Sequence, residues 1–297
     1  MEEIKNKLKS YFRDDFYIKE VVDYINDITD IFEYTNKNIS VVVYYNKSKD
    51  KIDFKFIKRV IKRGVTVNKN KQIKITLLLT DVKKILETDK VLTPNNANSG
   101  FTFIDNNEIF IFRKEEFPKV IIHELIHHDL NIQNKTFKPE NKQLLLKHFN
   151  INSNCKIILN ETIIEFWATI THLSFVSKEY KIDYGLLLAT ELKYSLYKCY
   201  QLLKLHIKQP DKIWYDECNI YCYIIFKTIL FYYSKELMKI YSFPYDDTKI
   251  TNFLIQHSHL LVSILKAKKT NPSFQLSRSK VIQRPDNSLC FMLFSDL

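Results

Sequence analysis

Residues 2 to about 35 carry apolar side chains at helical spacing: Ile4, Leu8 and Phe12, then Val21, Val22, Ile25, Ile28 and Phe32. They predict one or two helices. The period then changes. Ile39–Tyr45 is a β-branched and aromatic run that predicts a strand. Residues 54–63 return to helical spacing and are expected to end near Gly64. A second strand is expected over residues 73–79, with a short helical turn or extension at 82–86. Residues 93–100 hold Pro94, three asparagines and Gly100, a loop by turn chemistry. Residues 101–104 and 108–112 then read as a hairpin around Asp105, Asn106 and Asn107.

The second half of the chain is patterned differently. Past a polar stretch at 131–141 and a short helix at 142–149, amphipathic helices are expected from about 160 to 175, 184 to 207, 217 to 241 and 247 to 268. Asn271 and Pro272 end the packed helices, leaving a basic tail with a last apolar patch at 289–294. The pattern predicts an α+β chain: a small mixed β-sheet with helices, then a mostly helical C-terminal lobe. Its divisions fall at 1–118 (an α/β lobe with an edge hairpin), 119–178 (the helices that carry the chemistry below), 179–270 (the helical lobe) and 271–297 (the tail).

The chemistry concentrates in residues 120–128, where His123, Glu124, His127 and His128 interrupt an apolar helical run. Positions i and i+4 share a helix face, so the imidazoles of His123 and His127 can reach a single ion. Glu124 stands one residue round, placed to hold a water without ligating the ion. This is the His-Glu-x-x-His arrangement of zinc peptidases. A catalytic zinc site takes three protein ligands and keeps one position open. The metzincin extension that would supply a third histidine fails, because its glycine position is Leu130 and its histidine position is Gln133.

Downstream, Glu161, Glu165, Ala168 and His172 form one stripe of a predicted helix. A glutamate there can ligate a metal, and an acid one turn later can hydrogen-bond a ligating histidine. His148, 21 residues after His127, is the rival third ligand, although it lacks the glycine that accompanies such a histidine elsewhere.

His-Glu-x-x-His followed by a helix with Glu-x-x-x-Glu-x-x-Ala resembles the gluzincin group of zinc metallopeptidases, over roughly residues 95–175. The resemblance implies a zincin-like fold and a zinc ion. It implies His123, His127 and Glu161 as ligands, Glu124 as general base and Glu165 as the acid orienting a ligand. It also implies a protein or peptide substrate whose backbone pairs with the edge of the hairpin, with Asn96 and Ala97 matching an Asn-Ala step that enters this strand in several gluzincins. The chain departs from the group in two places. Glu165 stands where an Asp is usual, and Asp129 where an apolar residue is usual, which would expose the end of the metal helix. A group stabilising the oxyanion usually comes from the C-terminal lobe; the candidates are His257, His259, Tyr241 and Tyr245, the two histidines being expected on different sides of one helix.

Composition adds a second class of function. The net charge is +11 and the pI about 9.2, with basic stretches at 55–63, 69–74 and 266–284. Such stretches can bind phosphate backbones without reading bases, so the alternative is a non-catalytic zincin-fold binding protein, for which nucleic acid is one partner the basic patches allow. Lys, Asn, Ile, Tyr and Phe are heavily used and only three glycines occur, a usage that follows AT-rich coding and suits a large DNA virus or another AT-rich genome. No signal peptide is read at the N-terminus, and no apolar run reaches the roughly 18 residues of a membrane span. The five cysteines form no Cys-x-x-Cys pair, and Cys218 and Cys222 read as two buried thiols. A reducing, cytoplasmic compartment is expected.

Overall fold

The strand expected at Ile39–Tyr45 is the second of a five-stranded sheet. The computed structural model describes residues 1–12, 18–68, 71–129, 137–242, 245–277 and 279–297, and of Asp129 only the backbone. Leu130, Gln133, Lys69, most of the polar stretch at 131–141 and the Asp129 side chain therefore lie outside the described residues. The fold is α+β, and the chain divides into two compact units. The first comprises Met1–Lys84, Pro94–Leu130 and Ser295–Leu297, the second Ile85–Thr93 and Asn131–Phe294.

The first unit opens with α1 (Glu2–Lys9) and α2 (Lys19–Asp27), then β1 (Asp30–Asn36) and β2 (Ile39–Tyr45). Phe32 is therefore not helical. Its spacing from Ile28 fits a helix, but residues 30–36 pair antiparallel with β2 and alternate between exposed and half-buried. Phe32 and Tyr34 pack on the core while Ile31, Glu33 and Thr35 face outwards. A strand of period two thus replaced a helical assignment.

Next comes α3 (Phe54–Val67), started by Asp53, whose side chain accepts a hydrogen bond from the Phe56 amide at 2.9 Å. It runs through Gly64, where a stop was expected. A Cβ at Gly64 would come within 3.0 Å of Leu125 Cδ1 and 3.2 Å of Ile39 Cδ1, so the missing side chain permits a close helix crossing and does not end the helix. After β3 (Ile73–Thr80) come α4 (Pro94–Ala97), β4 (Gly100–Phe103), β5 (Glu108–Arg113) and α5 (Phe117–Asp129). The sheet order is β1-β2-β3-β5-β4, with β2, β3 and β5 parallel and the two outer strands antiparallel to their neighbours. The expected hairpin is present, and β4 is an edge strand.

Parallel strands are buried on both faces, which explains their near-continuous apolar runs. Ile75, Leu77, Ile109 and Ile111 join one cluster with Val60 and Ile61 of α3 and Phe117, Val120, Ile121 and Leu125 of α5. Leu78, Phe110 and Phe112 turn to the opposite cluster, with Leu8, Val21 and Ile25 from the first two helices. The sheet thus carries α5 on a face of branched aliphatic side chains.

The second unit is helical: α6 (Pro139–His148), α7 (Leu159–Tyr180), α8 (Tyr184–His206), a π-helical turn (Cys222–Phe226), α9 (Lys227–Tyr232), α10 (Ser234–Ile240), α11 (Asp247–Gln256) and α12 (His259–Lys266). A small hairpin, β6 (Phe274–Ser277) and β7 (Lys280–Ile282), follows. Two expected single helices are interrupted, one by the π-helical turn and a break at Tyr233, the other between Gln256 and His259. Among the described residues no helix is long and apolar enough to cross a membrane.

Residues 289–294 are core and not tail, each at most 5% exposed. They do not lie in a strand, and buried side chains bond several of their backbone groups. Lys227 Nζ donates to the Phe291 carbonyl at 2.7 Å, Tyr194 to that of Cys290 at 3.0 Å, and His172 Nε2 to that of Phe294 at 3.0 Å. The Leu293 amide donates to the Glu191 carboxylate at 3.0 Å. Burial pushes Glu191 up to about 7, against the lowering by Lys227 and by that amide.

A folded pKa above the unfolded value means that the native state holds the proton more tightly. This contribution to stability is full below about pH 4.5 and is lost as pH rises through about 7. The loss is on the order of 3 kcal/mol at most. Glu191→Gln, which keeps an acceptor and cannot ionise, should flatten the fall in melting temperature between about pH 5 and 8. Parallel pH profiles for the two proteins would show that Glu191 does not carry this dependence.

Candidate metal centre

α5 divides its circumference between two tasks. Phe117, Val120, Ile121 and Leu125 recur at helical spacing and are buried in the aliphatic cluster. His123 and His127 fall on another face, and both are buried, as is Glu124 between them. The two Nε2 atoms lie 3.2 Å apart, with ring centroids 5.0 Å apart. Two imidazole nitrogens bound to one tetrahedral zinc at 2.0–2.1 Å are separated by roughly 3.3 Å. The pair is therefore already at the spacing that a shared ion requires.

The next histidine does other work. His128 Nε2 meets the Thr102 hydroxyl on β4, and its carbonyl accepts from Lys71. Burial, with Lys71 and His127 nearby, lowers its pKa to about 4, so this ring is neutral at ordinary pH. His128 ties the last turn of α5 to the edge strand.

Ahead of β4, Asn96 and Ala97 sit in the single turn of α4, Asn96 half-buried and Ala97 buried. Buried Arg113, at the end of β5, holds this turn through the carbonyls of Asn95 (from Nη2) and Asn98 (from Nε, 2.8 Å) and ties it to the Lys83 carbonyl (from Nη1, 2.7 Å). The Phe112 amide bonds the Ser99 carbonyl at 3.0 Å, extending the hairpin ladder by one step. The Asn-Ala step thus precedes the strand edge and forms no part of it.

Glu161 occupies the first turn of α7, where a negative charge suits the helix dipole. Its Oε2 accepts from the Tyr223 hydroxyl at 3.1 Å. Glu165, one turn on, is fully buried. Farther along the stripe Ala168 is buried, and His172 is the residue that bonds the Phe294 carbonyl. Among the described residues, the His, Cys, Asp and Glu side chains grouped closely enough to hold an ion are His123, His127 and Glu161, each offering one ligand atom, all within 4.8 Å of one another. No protein-family model, curated protein or solved structure matches the chain.

The other sequence candidates have partners of their own. His148 is exposed, with Nε2 2.8 Å from the Ser258 hydroxyl. Tyr241 accepts from Trp167 Nε1 at 3.0 Å, and Tyr245 donates to Asn160. His257 and His259 flank a helix break and do not share one helix. Their ring centroids are 6.0 Å apart and both pack on Tyr233, so the expectation that they lie on different sides fails. Cys218 and Cys222 are buried free thiols with their pKa values pushed up by desolvation, as the spacing suggested.

Tyr223 is the functional candidate that the sequence hid. It lies in an apolar, Tyr-rich run, one of 18 tyrosines, with nothing in the pattern to single it out.

Proposed function

We propose that the chain is a zinc-dependent peptidase of the gluzincin kind, with a zincin-like arrangement of sheet and metal helix. The observation that carries this reading is the buried His123–His127 pair on α5, its Nε2 atoms 3.2 Å apart and Glu124 on the intervening turn. The donor set also fits: two imidazoles and a carboxylate are a zinc set that leaves one position open. His123, His127 and Glu161 would hold the ion. Zinc supplies Lewis acidity there, polarising a carbonyl and bringing the pKa of water down to about 7.

The rest of the chemistry belongs to the chain. Glu124 takes the proton of the attacking water and returns it to the leaving amine, a transfer that a carboxylate performs best when partly desolvated. Glu165 orients a ligating group from the turn behind Glu161. β4 offers the sheet edge to an extended peptide, and the Thr102–His128 contact ties that edge to the metal helix. The substrate class is therefore a protein or peptide in extended conformation.

A second reading rests on α3, where Lys55, Lys58, Arg59 and Lys62 are all exposed at i, i+3, i+4 and i+7. Such a stripe suits a phosphate backbone, with or without catalysis. Four phosphate contacts predict that affinity for a nucleic-acid duplex falls about 10²-fold between 50 and 200 mM salt. Binding that is flat across this range, or absent at low salt, would end this reading.

Two variants test the peptidase. Glu124→Gln should retain about one zinc per chain and lose hydrolysis of a peptide library by about 10²-fold or more. Glu161→Ala should lose zinc affinity itself. If Glu161→Ala holds zinc as tightly as the native protein, the ligand set is wrong. If the native protein takes up no zinc, the peptidase reading falls.

A further inference from the structure

We infer that Tyr223 is the positioning residue for the Glu161 carboxylate, fixing its rotation by the hydroxyl-to-Oε2 hydrogen bond; this rests on the zinc-site reading above. Three observations converge on it. First, the hydrogen bond is one of two side-by-side ties between the same turns. Thr162, beside Glu161, donates its hydroxyl to the carbonyl of Cys222, beside Tyr223, at 3.3 Å. A pair of adjacent bonds fixes both the distance and the rotation of the first turn of α7 against the π-helical turn.

Second, Tyr223 reaches Glu161 from within a π-helical turn. A π turn accommodates an extra residue in a helix, so every later side chain is rotated relative to an α-helical continuation. The turn spans Cys222–Phe226 and contains Tyr223. Interruptions of this kind cost helical hydrogen-bond geometry and occur frequently at functional sites.

Third, the phenol ring is itself held. Phe291 stacks on it with centroids 4.8 Å apart and planes 15° apart. Lys227, 1% exposed, anchors the Phe291 carbonyl at 2.7 Å. A tyrosine serving only to fill space would need the stack and not the hydroxyl. Here the hydroxyl is directed at the oxygen of an acid one residue from a second inter-helix bond.

A carboxylate that ligates through one oxygen must be prevented from swinging about its last torsion. A hydrogen bond to the carboxylate does this and tunes its basicity, and loss of such a partner typically weakens metal affinity by about 10–100-fold.

The experiment is a zinc titration of full-length native and Tyr223→Phe proteins against a chromophoric chelator, with the melting temperature of each metal-free form. Tyr223→Phe should weaken zinc binding about tenfold and leave the metal-free melting temperature unchanged. Equal zinc affinity would overturn the inference and leave the site intact. No zinc bound by the native protein would overturn the site and this inference together. If Tyr223→Phe lowers the metal-free melting temperature, Phe291→Leu decides. It keeps the hydroxyl but frees the ring, and should weaken zinc binding severalfold; unchanged affinity in that variant would also overturn the inference.

Discussion

Burying one stripe of α5 against a parallel sheet is the constraint on which the candidate chemistry depends. Phe117, Val120, Ile121 and Leu125 enter a cluster of branched aliphatic residues from β2, β3, β5 and α3. Each contributes on the order of 1.5–3 kcal/mol of hydrophobic stabilisation when fully buried. That burial fixes the helix about its axis, and with it the direction of His123 and His127. Gly64 matters for the same reason, because a side chain there would press on Leu125 from the neighbouring helix. The imidazole pair stands at ion-sharing distance because an apolar face elsewhere on the same helix has no freedom to turn.

Much of this was legible in the residues. The β-branched runs at 39–45 and 73–79 and the hairpin after the Asn-rich loop are short, strongly patterned elements bounded by turn chemistry, and all three are present. The His-Glu-x-x-His spacing carried its own geometry, since 3.6 residues per turn places both rings on one face whatever surrounds them. Where the reading failed, two patterns competed. Phe32 satisfies helical spacing from Ile28 and strand alternation with Tyr34, and pairing with β2 decided it. Gly64 looked like a helix stop, but its lack of a Cβ serves a crossing between elements distant in sequence.

Other features left no local trace. A π-helical turn has no sequence signature, so neither the break in the run after residue 219 nor the arrival of Tyr223 at Glu161 could be read in advance. Residues 289–294 showed their apolar character but not their partners, which are buried charged and polar side chains on α7, α8 and α9. Their backbone needs were met by Lys227, Glu191, Tyr194 and His172, each far away in the chain. A pattern read one segment at a time registers that such a segment is apolar and does not register what it will sit among.

That arrangement has a consequence for the order in which the protein is made. Glu191, Tyr194 and Lys227 are placed in the interior to receive backbone that is synthesised some 60–100 residues after them. Until that stretch has left the ribosome, these groups face an unfinished core, and the ring that braces Tyr223 is missing. The second unit therefore closes only once residues 289–294 have emerged, and the Tyr223 ring is braced only when residue 291 arrives. On the peptidase proposal this is a built-in delay: the ring that braces Tyr223 is made well over a hundred residues after Glu161 itself.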